Sequence, residues 1–80
     1  MSTLAIELEP LAIDVSCSDV ALKITLADGR EISVPLVWFP RLQKATAEQR
    51  TNWRLIGGGI GVHWEAVDED ISVESLLRMK

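Results

Sequence analysis

The sequence predicts a small α+β domain: an antiparallel sheet built from hairpins, with two or three short helices packed on it. Three observations predict this class. A tryptophan stands at each end of the stretch Trp53 to Trp64, which turns at Gly58-Gly59. Two alternating apolar runs, Val20 to Leu26 and Ile32 to Leu36, are joined across Asp28-Gly29. Helical signals are short, between residues 40 and 51 and again after Ser72, with no long amphipathic rod.

Residues Leu4 to Glu9 alternate Leu4, Ile6 and Leu8 against Ala5, Glu7 and Glu9 until Pro10 intervenes, which predicts an edge strand. Leu11, Ile13 and Val15 repeat the alternation, and Ser16-Cys17-Ser18-Asp19 supplies turn chemistry. Val20, Leu22, Ile24 and Leu26 form one face of the next strand, and Ile32, Val34 and Leu36 one face of the strand after it. A two-residue Asp28-Gly29 turn would set Leu26 against Glu31 and point the two apolar faces apart. A three-residue loop, Ala27-Asp28-Gly29, with Gly29 left-handed, pairs Ile24 with Ile32 and Leu22 with Val34, and is the expected geometry.

Pro35 cannot donate to a ladder, so it marks a strand end or an edge. Pro40 suits the first position of a helix, and Leu42, Ala45 and Gln49 carry helical spacing to about residue 51. Thr46-Ala47-Glu48-Gln49 matches a capping box, so a second short helix is expected to begin at Ala47. In the tryptophan hairpin, a two-residue Gly58-Gly59 turn opposes Trp53 with Trp64, Leu55 with Val62 and Gly57 with Ile60. Alternation then puts Trp53, Leu55, Ile60, Val62 and Trp64 on the core face, and Arg54, Ile56, Gly61 and His63 on the other. Glu65 to Asp70 reads as a polar connection. Ser72 is the expected N-cap of a last helix docked by Ile71, Leu76 and Leu77.

Residues 1 to 80 are expected to form one domain, and a chain this short buries only about 60% of its unfolded surface. The 48% hydrophobic content and three tryptophans exclude a disordered chain. The formal charge of −4 argues against nucleic acid as a direct ligand, although residues 35 to 56 hold Arg41, Lys44, Arg50 and Arg54 against Glu48 alone. Cys17, the lone cysteine, cannot form an internal disulfide, and no Cys/His spacing suggests a metal or calls for a cofactor, so a reducing cytoplasm is the expected compartment. Neither a basic leader nor an apolar run of about 20 residues is present, so a membrane-spanning or exported chain is not expected.

Gly57-Gly58-Gly59-Ile60-Gly61 lacks the Gly-Lys-Ser/Thr ending of a phosphate loop and reads as a tight turn. His63, the single histidine, has no nucleophile in a recognisable setting, which points to a structural or partner-contact role. The alternative is a small enzyme or ligand-binding domain using His63 with Asp68 or Asp70. Trp38-Phe39-Pro40-Arg41 serves either as core filling or as an interface anchor. No catalytic residue is assigned. The candidate partner-contact residues are Trp38, Phe39, Arg41, Lys44, Arg50, Arg54 and His63, and the expected partner is another protein or a second copy in a dimer.

Asp28-Gly29-Arg30, Val34-Pro35-Leu36-Val37-Trp38-Phe39-Pro40-Arg41-Leu42, Asn52-Trp53, Gly59-Ile60-Gly61-Val62-His63-Trp64 and Asp68-Glu69-Asp70-Ile71-Ser72-Val73 follow one another in an order that resembles the bacterial domain-of-unknown-function family 2442. The resemblance covers about residues 11 to 78, with Trp-Phe-Pro-Arg-Leu and His-Trp its most distinctive elements. It implies a small α+β fold, with no established enzyme activity and no known cofactor. Relatives are commonly encoded beside another small protein, a pairing that looks like a toxin-antitoxin module, so an antitoxin-like role is what the resemblance implies for this chain.

Overall fold

Two three-stranded antiparallel sheets, where one was expected, carry the fold of the computed structural model, which describes residues 10–78. The expected strand at Leu4 to Glu9 lies outside those residues. Sheet one has the order β1-β2-β3, with β1 Ala12–Cys17, β2 Ala21–Leu26 and β3 Glu31–Pro35. Sheet two has the order β4-β5-β6, with β4 Trp53–Ile56, β5 Gly61–Trp64 and β6 Glu69–Ser72. Helices α1 Pro40–Gln43 and α2 Ala47–Thr51 join the sheets, and α3 Val73–Arg78 follows β6.

The loop between β2 and β3 has the three-residue form. Leu22 pairs with Val34 and Ile24 with Ile32, and Gly29 sits at φ +94°, a conformation from which a side chain is repelled by its own backbone. Asp28 fixes the loop by accepting from the Arg30 backbone N–H at 3.0 Å and from Arg30 Nε at 2.9 Å. That pairing holds the Asp28 carboxyl below its ordinary range. Strand β3 stops at Pro35 on the sheet's edge, as the missing N–H requires.

In β1 the expected face of Leu11, Ile13 and Val15 is broken by a bulge. Ala12 pairs with Leu26 but Asp14 with Thr25, so Ile13 is the unpaired extra residue and faces solvent, while Ala12 and Val15 are buried. Val20 likewise falls outside β2 and is exposed. The Thr46 capping box is complete: its hydroxyl accepts from the Gln49 N–H at 3.0 Å, and the Gln49 side chain accepts from the Thr46 N–H at 3.0 Å. Three residues, Lys44 to Thr46, separate α1 from α2, as that cap predicts.

Trp53 pairs with Trp64 and Leu55 with Val62, in the expected register. The turn, however, is Gly57 to Ile60 rather than Gly58-Gly59, and Ile60 projects into solvent instead of joining the core face. Four residues preserve the parity of two, so the strands keep their faces while the tip opens. Its carbonyls reach outward: Gly59 O accepts from Ala12 N–H at 2.7 Å, and Ile60 O from Val73 N–H at 3.0 Å. Gly59 lies at φ +115°, and a β-carbon on it would stand 2.6 Å from Ala12 O, so only glycine permits this junction between the sheets.

The acid-rich segment read as a connection is in fact strand β6 from Glu69 onward, opposite β5 with Trp64 against Glu69 and His63 against Asp70. Ser72 caps α3, accepting from the Ser75 N–H at 2.9 Å. Val73 and Leu76 dock that helix; Leu77, expected to help, is exposed. One apolar cluster results, running from Leu22, Ile24 and Leu26 through Leu36, Phe39 and Leu42 to Val62, Trp64 and Ile71. No described helix is long and apolar enough to cross a membrane.

Candidate functional site

The seven candidate contact residues separate into three settings. Phe39 is buried in the common core, so its ring is not on the surface where a partner could meet it. Arg50 is also buried, and its guanidinium is committed internally: Nε donates to Leu42 O at 2.9 Å and Nη2 to Gln43 O at 2.7 Å, satisfying carbonyls at the end of α1, while Nη1 meets Asp19 at 2.9 Å. The Arg50 carbonyl in turn accepts from Trp64 Nε1 at 3.1 Å.

The second setting is a surface. Leu36–Trp38 forms a 3-10 turn after β3, with Leu36 fully buried and the next two residues turned outward, Val37 at 59% and Trp38 at 42% exposure. Leu36 N–H donates to Val20 O at 2.9 Å, which brings Val20, 76% exposed, alongside this turn. Arg41 and Lys44 follow at three-residue steps and are exposed. Arg41 is braced by donating from Nη1 to Asp68 O at 2.7 Å, and Lys44 forms no ion pair among the described residues. Sequence spacing placed Trp38 and Phe39 together; the 3-10 turn separates them, one out and one in.

The third setting surrounds His63, in the middle of sheet two. Arg54 on β4, His63 on β5 and Asp70 on β6 lie in one cross-strand row on the face opposite Trp64. His63 Nδ1 is 2.5 Å from Asp70 Oδ1, and Nε2 is 3.4 Å from Glu65 Oε2. Arg54 Nε is 3.7 Å from the other oxygen of Glu65. Parity placed His63 beside Arg54 correctly, but these neighbours bury it, which alternation could not reveal. Of the two acids considered for it, Asp70 reaches the ring; Asp68, at φ +51°, turns its carbonyl to Arg41. The Asp70 hydrogen bond raises the His63 pKa above the usual imidazole range; burial opposes this and Glu65 adds to it. The two carboxylates contact opposite ring nitrogens, an arrangement that brackets the ring and does not converge on one cation. No grouping of three potential metal ligands occurs among the described residues.

An open groove of about 350 Å³ runs past Pro10, Leu11, Ile60 and Glu74; its described lining includes neither Trp38 nor His63. Cys17 is half-buried, and burial pushes its thiol up, away from the reactive thiolate.

Comparison with known proteins adds fold and kinship. A family model described as "Protein of unknown function (DUF2442)" matches residues 12–80. Among solved structures, a protein of unknown function from Rhodospirillum rubrum ATCC 11170 is similar, with a TM-score of 0.73 and 28% identity over 88% of this chain and 87% of that one. No curated protein matches the chain.

Proposed function

The chain belongs to the DUF2442 family, and from that premise we propose that it is a non-enzymatic, cytoplasmic protein-interaction domain, the antitoxin-like member of a two-gene pair. The observation that carries this reading is the outward turn of Val37 and Trp38 beside Val20, when the adjacent Leu36 and Phe39 are buried. Three exposed apolar side chains brought side by side, Val20 with Val37 and Trp38, are a costly surface to leave in water, and an aromatic rimmed by bases is the composition of an interface anchor. The partner this surface fits is a protein with an apolar seat for Trp38 and acidic side chains opposite Arg41 and Lys44. Such a rim would set encounter rate and salt dependence more than affinity.

A small enzyme working through His63 and Asp70 is the rival reading. Against it stands the ring's setting: with a carboxylate at each nitrogen, the imidazole favours its charged form, which is not a base.

The test is co-expression of the tagged chain with the product of the adjacent gene. A stoichiometric complex that Trp38→Asp abolishes, while leaving the melting temperature within a few degrees, is the expected result. A complex that survives Trp38→Asp, or no complex and a monomeric mass at every concentration, overturns the proposal. A homodimer lost in Trp38→Asp would overturn the antitoxin form and keep the surface.

A further inference from the structure

The His63 row has a property that association through Trp38 does not use. Both ring nitrogens face carboxylate oxygens, Asp70 at 2.5 Å and Glu65 at 3.4 Å. An ionised carboxylate only accepts, and an imidazole has two N–H donors only when protonated. The charged ring therefore satisfies both acids at once. A neutral ring has one N–H, and its second nitrogen must turn a lone pair toward a carboxylate.

Geometry decides which contact is lost. Asp70 is held in register opposite His63 by the β5–β6 ladder and makes the short contact. Glu65 makes the longer one, is mostly exposed, and already has Arg54 Nε at 3.7 Å from its other oxygen. Glu65 thus has a second partner within reach, and Asp70 has none among the described residues. Among the described residues, the charged groups facing the ring are Arg54 from β4, Asp70 from β6 and Glu65 from the 3-10 turn Glu65–Val67 that connects β5 to β6.

We propose that His63 is a proton-operated latch: protonated, it holds Asp70 through Nδ1 and ties the Glu65–Val67 turn to sheet two through Nε2, and on losing its proton it keeps Asp70 and releases Glu65 to Arg54. The proton leaves from Nε2 to solvent, and the remaining N–H is on Nδ1. The released segment is the one that delivers the chain to β6, through Asp68 in its left-handed conformation and the Arg41 contact on its carbonyl. The raised pKa of His63, caused first by Asp70, moves this event to higher pH than that of an ordinary imidazole.

The experiment is nitrogen-detected NMR of the histidine side chain in the full chain, titrated from pH 5 to 9, with the Glu65 and Asp70 carboxyl carbons followed in the same samples. The expected result is a neutral ring in the Nδ1–H tautomer and a Glu65 carboxyl signal that moves at the His63 midpoint. Asp70→Asn should lower that midpoint more than Glu65→Gln, and amide exchange at Ala66 and Val67 should accelerate beyond the ordinary pH trend above it. Because Glu65 is exposed, Glu65→Gln keeps the fold should Asp70→Asn lose it. An Nε2–H neutral tautomer, or a Glu65 signal indifferent to the His63 midpoint, overturns the latch.

Discussion

Arg50 and Trp64 complete each other: the indole Nε1 donates to the Arg50 carbonyl at 3.1 Å, and the guanidinium of the same arginine closes the end of α1. The largest fully buried side chain in the core is thereby tied, through one residue, to α1, the helix that follows the turn carrying Trp38. A buried indole N–H needs such an acceptor, and a buried guanidinium needs several.

The two facing tryptophans are accordingly unequal. Trp64 is fully buried and Trp53 only half, so Trp64→Ala should cost about 3 to 5 kcal/mol and Trp53→Ala about 1 to 3. Urea melts of both variants check the order. Equal losses would contradict the burial difference.

The Arg50 contacts also differ in worth. Asp19 is 94% exposed, so Asp19→Asn should change stability by no more than about 0.5 kcal/mol. Arg50→Met leaves the Leu42 and Gln43 carbonyls without their donor and should cost about 2 to 4 kcal/mol. Chemical denaturation of the pair of variants separates the ion pair from the carbonyl caps.

At the junction of the sheets, Gly59→Ala combines a positive φ with a β-carbon 2.6 Å from Ala12 O, whereas Gly58→Ala meets a positive φ in open space. The first should cost about 3 kcal/mol or more and the second about 1. Thermal melts showing the reverse order would argue against the Ala12–Gly59 hydrogen bond.

Stability should depend on pH through His63. Its folded pKa is raised, so its contribution is fully present below the unfolded value of about 6.5 and is lost as pH rises through the folded one. Urea midpoints of the wild type minus those of His63→Gln should therefore be largest below the unfolded value and shrink as pH rises above it. A difference that grows with pH would reverse the assigned sign.

Much of this architecture is legible in the residues, because parity and capping are local. Ile24 opposite Ile32, Trp53 opposite Trp64 and the Thr46–Gln49 box all follow from spacing. What spacing hid was tertiary. Leu11, Ile13 and Val15 looked like a face until a bulge at Ile13 reset it. Asp68-Glu69-Asp70 looked like a solvated link because β6 is an edge strand, whose acids point to water or to His63 and whose one core residue is Ile71. The contact residues were spread by the same cause: adjacent Trp38 and Phe39 diverge at a 3-10 turn, and Arg50 serves carbonyls eight and seven residues behind it. Phe39→Asp, natural as a surface variant from sequence, is a core variant in the structure and should unfold the domain.

The measurement that tests association most directly is calorimetric titration of the adjacent gene product into the wild type and Trp38→Asp, at low and high salt. The account predicts binding that weakens several-fold with salt and is lost in Trp38→Asp at unchanged stability. Binding of equal strength to both proteins would contradict it.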